Sequence, residues 1–168
     1  MFQTNDYVFY GSGGICKIAD ICSAPLEGMP RDRVYYVMHS IHDRNGVIYV
    51  PVDSEGVFLR RLLNREEAQM LLERIPEILV IEAADTKLLR ARYMEAMRSH
   101  DPAEWVRVIK TVHLRMQTLE SRTARLTETE RSFLDSAKRY LYAELSLALG
   151  LSEADVESQV TCRMQGIA

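Results

Sequence analysis

Catalysis needs an activated group, a partner to orient it and a pocket. The residues of this chain that could supply them are His39, His42, three cysteines, two pairs of helix-start glutamates and a glycine cluster. His39 and His42 flank the end of a predicted strand, and no thiol or carboxylate set stands near them at metal-ligand spacing. Two partly exposed histidines beside a hairpin are the expected outcome. Cys16, Cys22 and Cys162 form no Cys-x-x-Cys pair and read as reduced thiols. Glu66-Glu67 and Glu128/Glu130 sit where helices start, a position that capping already explains. Gly11-Ser12-Gly13-Gly14 opens no helix, so it is neither a phosphate loop nor a dinucleotide fingerprint. No Gly-x-Ser-x-Gly elbow precedes a helix. The expectation is a protein that is no enzyme, with no cofactor and no small-molecule substrate.

The surrounding elements change style near residue 62. Before it, short runs rich in Val, Ile and Tyr alternate with turn residues. These predict strands over 2–10, with Asn5-Asp6 as an early turn, and over 15–22, 34–39, 47–50 and 57–60. Asp43-Arg44-Asn45-Gly46 is the expected hairpin turn, since Asn-Gly readily takes positive φ. Such short antiparallel strands suggest a small, strongly bent β-barrel or half-barrel. The three glycines would let the chain turn a sharp corner between the first two strands.

After residue 62 the period becomes helical. Asn64 caps a helix that Pro76 stops, and Asp85 caps a second reaching about Arg98. Asp101-Pro102 restarts the chain as a third helix, whose apolar positions Trp105, Val108, Ile109, Val112, Met116 and Leu119 share a face. Thr127 with Glu130 forms a capping box, Gly150 is a C-terminal stop, and Ser152 with Asp155 starts a short last helix. The chain therefore reads as α+β: a β-module over residues 1–62, then a compact bundle of four or five short helices over 63–168.

Net charge is −3 over 168 residues, but it is unevenly spread. Residues 1–84 hold 8 Lys/Arg against 12 Asp/Glu, whereas 86–125 hold 9 against 4. This pattern suggests two functional surfaces. No apolar run approaches the length of a membrane span, and the first residues lack a basic-then-apolar leader, so a cytoplasmic protein without membrane contact is expected.

One ordered set of residues carries a resemblance. Asp6-Tyr7-Val8-Phe9-Tyr10, Gly14-Ile15, Tyr35-Tyr36-Val37 and Val47-Ile48-Tyr49-Val50-Pro51-Val52 follow one another as in the RNA-polymerase-interacting domain. That domain is shared by CarD/CdnL-type bacterial transcription regulators and transcription-repair coupling factor. SHDPAEWVRV from Ser99 and RLTETERSFLDSAKRYLYAELSLAL from Arg125 resemble helix segments of the CarD type. The resemblance spans about residues 1 to 150, and the chain is far too short for the coupling factor.

The resemblance implies a Tudor-like β-module that docks on the polymerase β subunit by pairing sheet edges, with Val47, Ile48, Tyr49, Val50 and Pro51 as the docking strand. Tyr49 stands where some relatives carry a polymerase-contacting arginine. It also implies a helical domain that touches promoter DNA beside the melted region and holds the open complex. Lys87, Arg90, Arg92, Arg98, Arg122 and Arg125, with Arg107 and Lys110, are the candidate phosphate contacts. An exposed face of a packed bundle explains the same charges equally well. Relatives place a minor-groove tryptophan near the start of the second helix, whereas this chain has Asp85-Thr86-Lys87-Leu88-Leu89 there. Leu88 or Leu89 could replace the wedge in part, but both read first as helix packing, and Trp105 reads as core. The alternative is therefore an interaction module of the same fold that no longer wedges DNA.

Overall fold

A computed structural model describes residues 1–11, 13–23, 25–43, 45–121 and 125–166. The chain divides into two compact units, Met1–Leu62 and Leu63–Ala168.

The first unit is an antiparallel sheet of five strands: β1 (Tyr7–Tyr10), β2 (Gly14–Ser23), β3 (Val34–Ser40), β4 (Ile48–Pro51) and β5 (Leu59–Arg61). Their order is β4-β3-β2-β1-β5, so β4 and β5 are the two edges. Val8, Cys16, Ile18, Tyr36, Met38 and Val50 form its buried cluster. Strict alternation would put Ile18 and Ile21 on opposite faces, yet both pack on this cluster. The register of β2 against β3 shifts between Ile18 and Asp20, and that bulge resets the phase and bends the strand.

The corner between β1 and β2 does need its glycines. Gly14 sits at φ 69, and a Cβ on Gly13 would lie 2.7 Å from the Tyr10 ring. The remainder of the cluster includes Ser12, which lies outside the described residues.

Three boundaries differ from expectation. β1 starts only at Tyr7, after the expected early turn: Asn5 takes φ 76, and Asp6 N–H bonds the Gln3 carbonyl at 3.1 Å, which makes Gln3–Asp6 that turn. The last strand is Leu59–Arg61 and pairs with β1. The β3–β4 connection is not an Asn-Gly hairpin, because Gly46 lacks the positive φ that a type I′ turn requires. The Asp43 carboxylate instead accepts from Asn45 N–H at 3.0 Å, and the Gly46 carbonyl faces His39 Nδ1 at 3.2 Å. These side-chain bonds hold a longer loop, so β4 begins at Ile48 and Val47 lies outside it.

The second unit holds α1 (Arg65–Arg74), α2 (Thr86–Arg98), α3 (Pro102–Glu120), α4 (Glu128–Leu149) and α5 (Glu153–Met164). Its caps are those expected. Asn64 and Glu67 form a capping box, as do Thr127 and Glu130. Asp85, Asp101 and Ser152 accept N–H bonds at the starts of α2, α3 and α5. Gly150 ends α4 at φ 69. Pro76 does not halt α1 abruptly; it lies in a 3-10 turn, Ile75–Glu77, that continues the helix.

Trp105, Val108, Ile109 and Val112 of α3 and Ala137, Leu141 and Leu145 of α4 are buried in this unit, where the two helices lie against each other. The Trp105 indole is fully buried and lies 5.5 Å from the Tyr140 ring. Glu144 is also fully buried and accepts the Leu63 N–H at 2.9 Å, which ties the start of the helical unit to α4. Spacing alone could not show this, because Glu144 stands in an otherwise ordinary amphipathic helix.

Candidate functional site

The expected docking strand lies at a sheet edge: β4 pairs with β3 alone. Val52 N–H donates to the Val34 carbonyl at 2.9 Å. Antiparallel ladders alternate bonded and non-bonded pairs. Counting back along the register, Val50–Tyr36 and Ile48–Met38 are bonded pairs, whereas Pro51–Tyr35 and Tyr49–Val37 are not. The Tyr49 N–H and C=O therefore point away from the sheet, as does the Pro51 carbonyl. Pro51 occupies a position where no ladder N–H is missed, which is where an edge strand tolerates proline.

The side chains divide the other way. Val50 is buried in the sheet cluster and Ile48 packs against it. Tyr49, Pro51 and Val47 are partly or fully solvent-accessible. Of the five residues expected to dock, Ile48 and Val50 can lend only the shape of their strand, and Tyr49 offers both side chain and backbone.

In the helical unit, α2 turns Leu89, Tyr93 and Ala96 inward. Lys87, Arg90, Arg92 and Arg98 are exposed along it, Arg92 paired with Glu95 at 3.4 Å. Arg98 lies in the last turn, where the helix dipole favours a cation. Arg125 is exposed ahead of α4, and Arg122 lies outside the described residues. Leu88 is 40% exposed, whereas Leu89 is buried. The packing expectation thus holds for Leu89 and fails for Leu88, which stands among the cations.

Two other cations are engaged in the fold. Arg107 bonds both Glu104 carboxylate oxygens and the Leu79 carbonyl. Lys110 Nζ donates to the carbonyls of Ile75, Pro76 and Ile78 at the 3-10 turn that follows α1. Burial pulls its pKa below the ordinary lysine value. Phosphate contact by either residue would require breaking these bonds. Lys110→Met should lower stability by about 2 kcal/mol, because it leaves three carbonyls without their charged donor; urea unfolding at neutral pH measures it.

A second buried charge joins α3 to α4. Arg115 bonds Glu130, which also closes the Thr127 capping box. Burial works to raise the Glu130 pKa, but the bonds from Arg115 and Thr127 prevail and hold it below the ordinary carboxylate value. The nearby Tyr93 hydroxyl is pushed up to about 12, first by burial and then by the Glu130 charge. A depressed folded-state pKa means the unfolded chain binds more protons in acid. The stabilisation is therefore complete above about pH 4.5 and lost as pH falls through the lower folded value. Urea midpoints taken from neutral pH into the acid range should fall below that value, and Glu130→Gln should flatten this part of the profile.

No group of three or more His, Cys, Asp or Glu among the described residues is placed to hold a metal ion. Nor is any helix among them long and apolar enough to cross a membrane. The prominent features are an unpaired strand edge in one unit and a cationic helix face in the other.

Family comparison supplies the class of protein to which these two units belong. Residues 2–63 match the family model described as CarD-like/TRCF RID domain. Residues 82–161 match the model described as CarD, C-terminal domain. Both domains of a CarD-type protein are present in order, and the chain belongs to that family, whose members are RNA-polymerase-interacting transcription regulators rather than enzymes. No curated protein matches the chain.

Proposed function

We propose that this protein binds the β subunit of bacterial RNA polymerase through β4 and modulates the stability of the promoter open complex. The observation that carries the reading is the edge position of β4, with the Tyr49 N–H and C=O free to pair with an incoming strand. The sheet domain in which β4 lies matches a domain that interacts with polymerase. The β-module is the docking part, and the helical unit lies near upstream promoter DNA. Lys87, Arg90, Arg92, Arg98, Arg122 and Arg125 contact phosphates there, which gives a salt-dependent affinity with little sequence preference. Such a protein works in the cytoplasm.

Binding to the isolated N-terminal lobe of the β subunit tests the docking step. Micromolar affinity, about 8 kcal/mol of association free energy, is the expected result. A folded protein that fails to bind the lobe even at low salt would overturn the reading.

The DNA step has its own test. Leu88 is the exposed apolar tip on the cationic helix, but it is smaller than the tryptophan that relatives carry near this point. Leu88→Trp should lengthen the lifetime of open complexes formed with polymerase, and Leu88→Glu should shorten it. Unchanged lifetimes for both variants, with docking intact, would favour the alternative of an interaction module that docks without wedging DNA.

A further inference from the structure

Asn45-Gly46 lies between β3 and β4 without forming the tight hairpin its sequence suggests. Asparagine before glycine has a chemistry of its own. The backbone nitrogen of the second residue can attack the carboxamide carbon of the first, and glycine hinders that approach least because it has no Cβ. The attack needs both groups unengaged, and the fold decides which asparagines meet that condition.

The chain has three asparagines, Asn5, Asn45 and Asn64. After Asn5, the Asp6 N–H donates to the Gln3 carbonyl at 3.1 Å. The Asn64 carboxamide oxygen accepts the Glu67 N–H at 2.8 Å as the cap of α1. Asn45 differs from both. It is exposed, and among the described residues neither its carboxamide nor the Gly46 N–H makes a hydrogen bond. The bonds that hold the loop fall on either side of the reacting atoms. The Asn45 N–H donates to the Asp43 carboxylate at 3.0 Å, and the Gly46 carbonyl faces His39 Nδ1 at 3.2 Å. Among the described residues, a Cβ on Gly46 would meet only Asp43, 3.2 Å away at Oδ2.

We propose that Asn45 is a site of spontaneous deamidation and isomerisation. The Gly46 nitrogen forms a bond to Asn45 Cγ, the Cγ–Nδ2 bond breaks, and ammonia leaves with the proton that the Gly46 N–H gives up. Water then opens the five-membered imide. Cleavage at Cγ yields aspartate. Cleavage at the main-chain carbonyl carbon yields isoaspartate, with the chain now running through Cβ and Cγ. One water is consumed and one ammonia released, with no oxidant or reductant. Either product adds one negative charge two residues from Asp43 and just ahead of β4. The isoaspartyl form also inserts an extra main-chain carbon between the two bonds that hold the loop.

Peptide mapping by mass spectrometry tests the proposal on the full chain, held folded at neutral and at mildly alkaline pH. The peptide containing Asn45 should gain the mass difference between a hydroxyl and an amino group. The gain should be faster at the higher pH, because the attacking nitrogen must lose its proton. The same peptide should become a methyl acceptor for a protein-isoaspartate methyltransferase. Peptides containing Asn5 and Asn64 should stay unchanged over that period. Gly46→Ala should slow the change severalfold or more, and Asn45→Gln should nearly remove it, since its attack would close a six-membered ring. Conversion in guanidinium chloride with none in the folded protein would show that the fold shields the pair, and would overturn the proposal. So would equal conversion at Asn5 or Asn64 in the folded protein, or a Gly46→Ala variant that converts as fast as the wild type.

Discussion

Tyr49→Pro should leave the protein folded and weaken its binding to the polymerase β lobe by about 2 kcal/mol or more, roughly thirtyfold. Proline removes the N–H that points away from the sheet and leaves an incoming carbonyl unpaired. The ladder to β3 should survive, because Tyr49–Val37 is a non-bonded pair in the register. Val50→Pro is the informative contrast. Its N–H points into the ladder toward Tyr36, and its side chain lies in the buried cluster, so this variant should lose stability. Tyr49→Ala keeps the N–H and removes only the ring, which separates backbone pairing from side-chain contact. Titration against the isolated lobe, with thermal unfolding of each variant as the control, reads all three. Equal binding by wild type and folded Tyr49→Pro would rule out pairing at this edge.

Trp105→Ala should cost about 3–5 kcal/mol, the largest loss expected from a single substitution in this chain. The indole is fully buried and packs against Tyr140, at the junction of α3 and α4. Removing it leaves a cavity that the neighbouring helices can close only in part. The loss is comparable to a large share of the whole stability of an ordinary domain. Circular dichroism at 222 nm during urea unfolding measures it, since the only tryptophan is the residue removed. A DNA-wedging tryptophan would behave differently: its loss would leave stability nearly unchanged and weaken DNA contact alone. Unchanged stability would therefore reopen the assignment of Trp105 to the core.

Helix boundaries were the most legible part of this protein because their signals are local. Asn64, Asp85, Asp101, Thr127 and Ser152 each accept N–H bonds from the turn that follows, and Gly150 takes the left-handed angles that end α4. These contacts span a few residues, so composition and spacing suffice to place them. The β-module was less legible. Asn45-Gly46 carries the strongest short hairpin signal in the chain, yet Asp43 and His39 hold a longer loop there. The bulge in β2 likewise depends on which residue of β3 faces which, and alternation along one strand cannot reveal that.

The candidate surfaces divide along the same line. Sequence by itself determined the α+β order, the helix caps, the burial of Trp105, the cationic run from Lys87 and the ordered residues that mark the CarD type, because period, capping and motif order are written along the chain. Only the tertiary structure decided which cations remain available. Lys110 and Arg107 are consumed by carbonyls and a carboxylate, Arg115 by Glu130, while Lys87, Arg90 and Arg98 stay exposed. It also decided that Leu88 faces outward while Leu89 does not, and that Tyr49 directs its backbone away from the sheet. The reason is physical: a charge or an N–H is free or engaged according to what another segment brings within about 3 Å of it, and that segment lies tens of residues away in the chain.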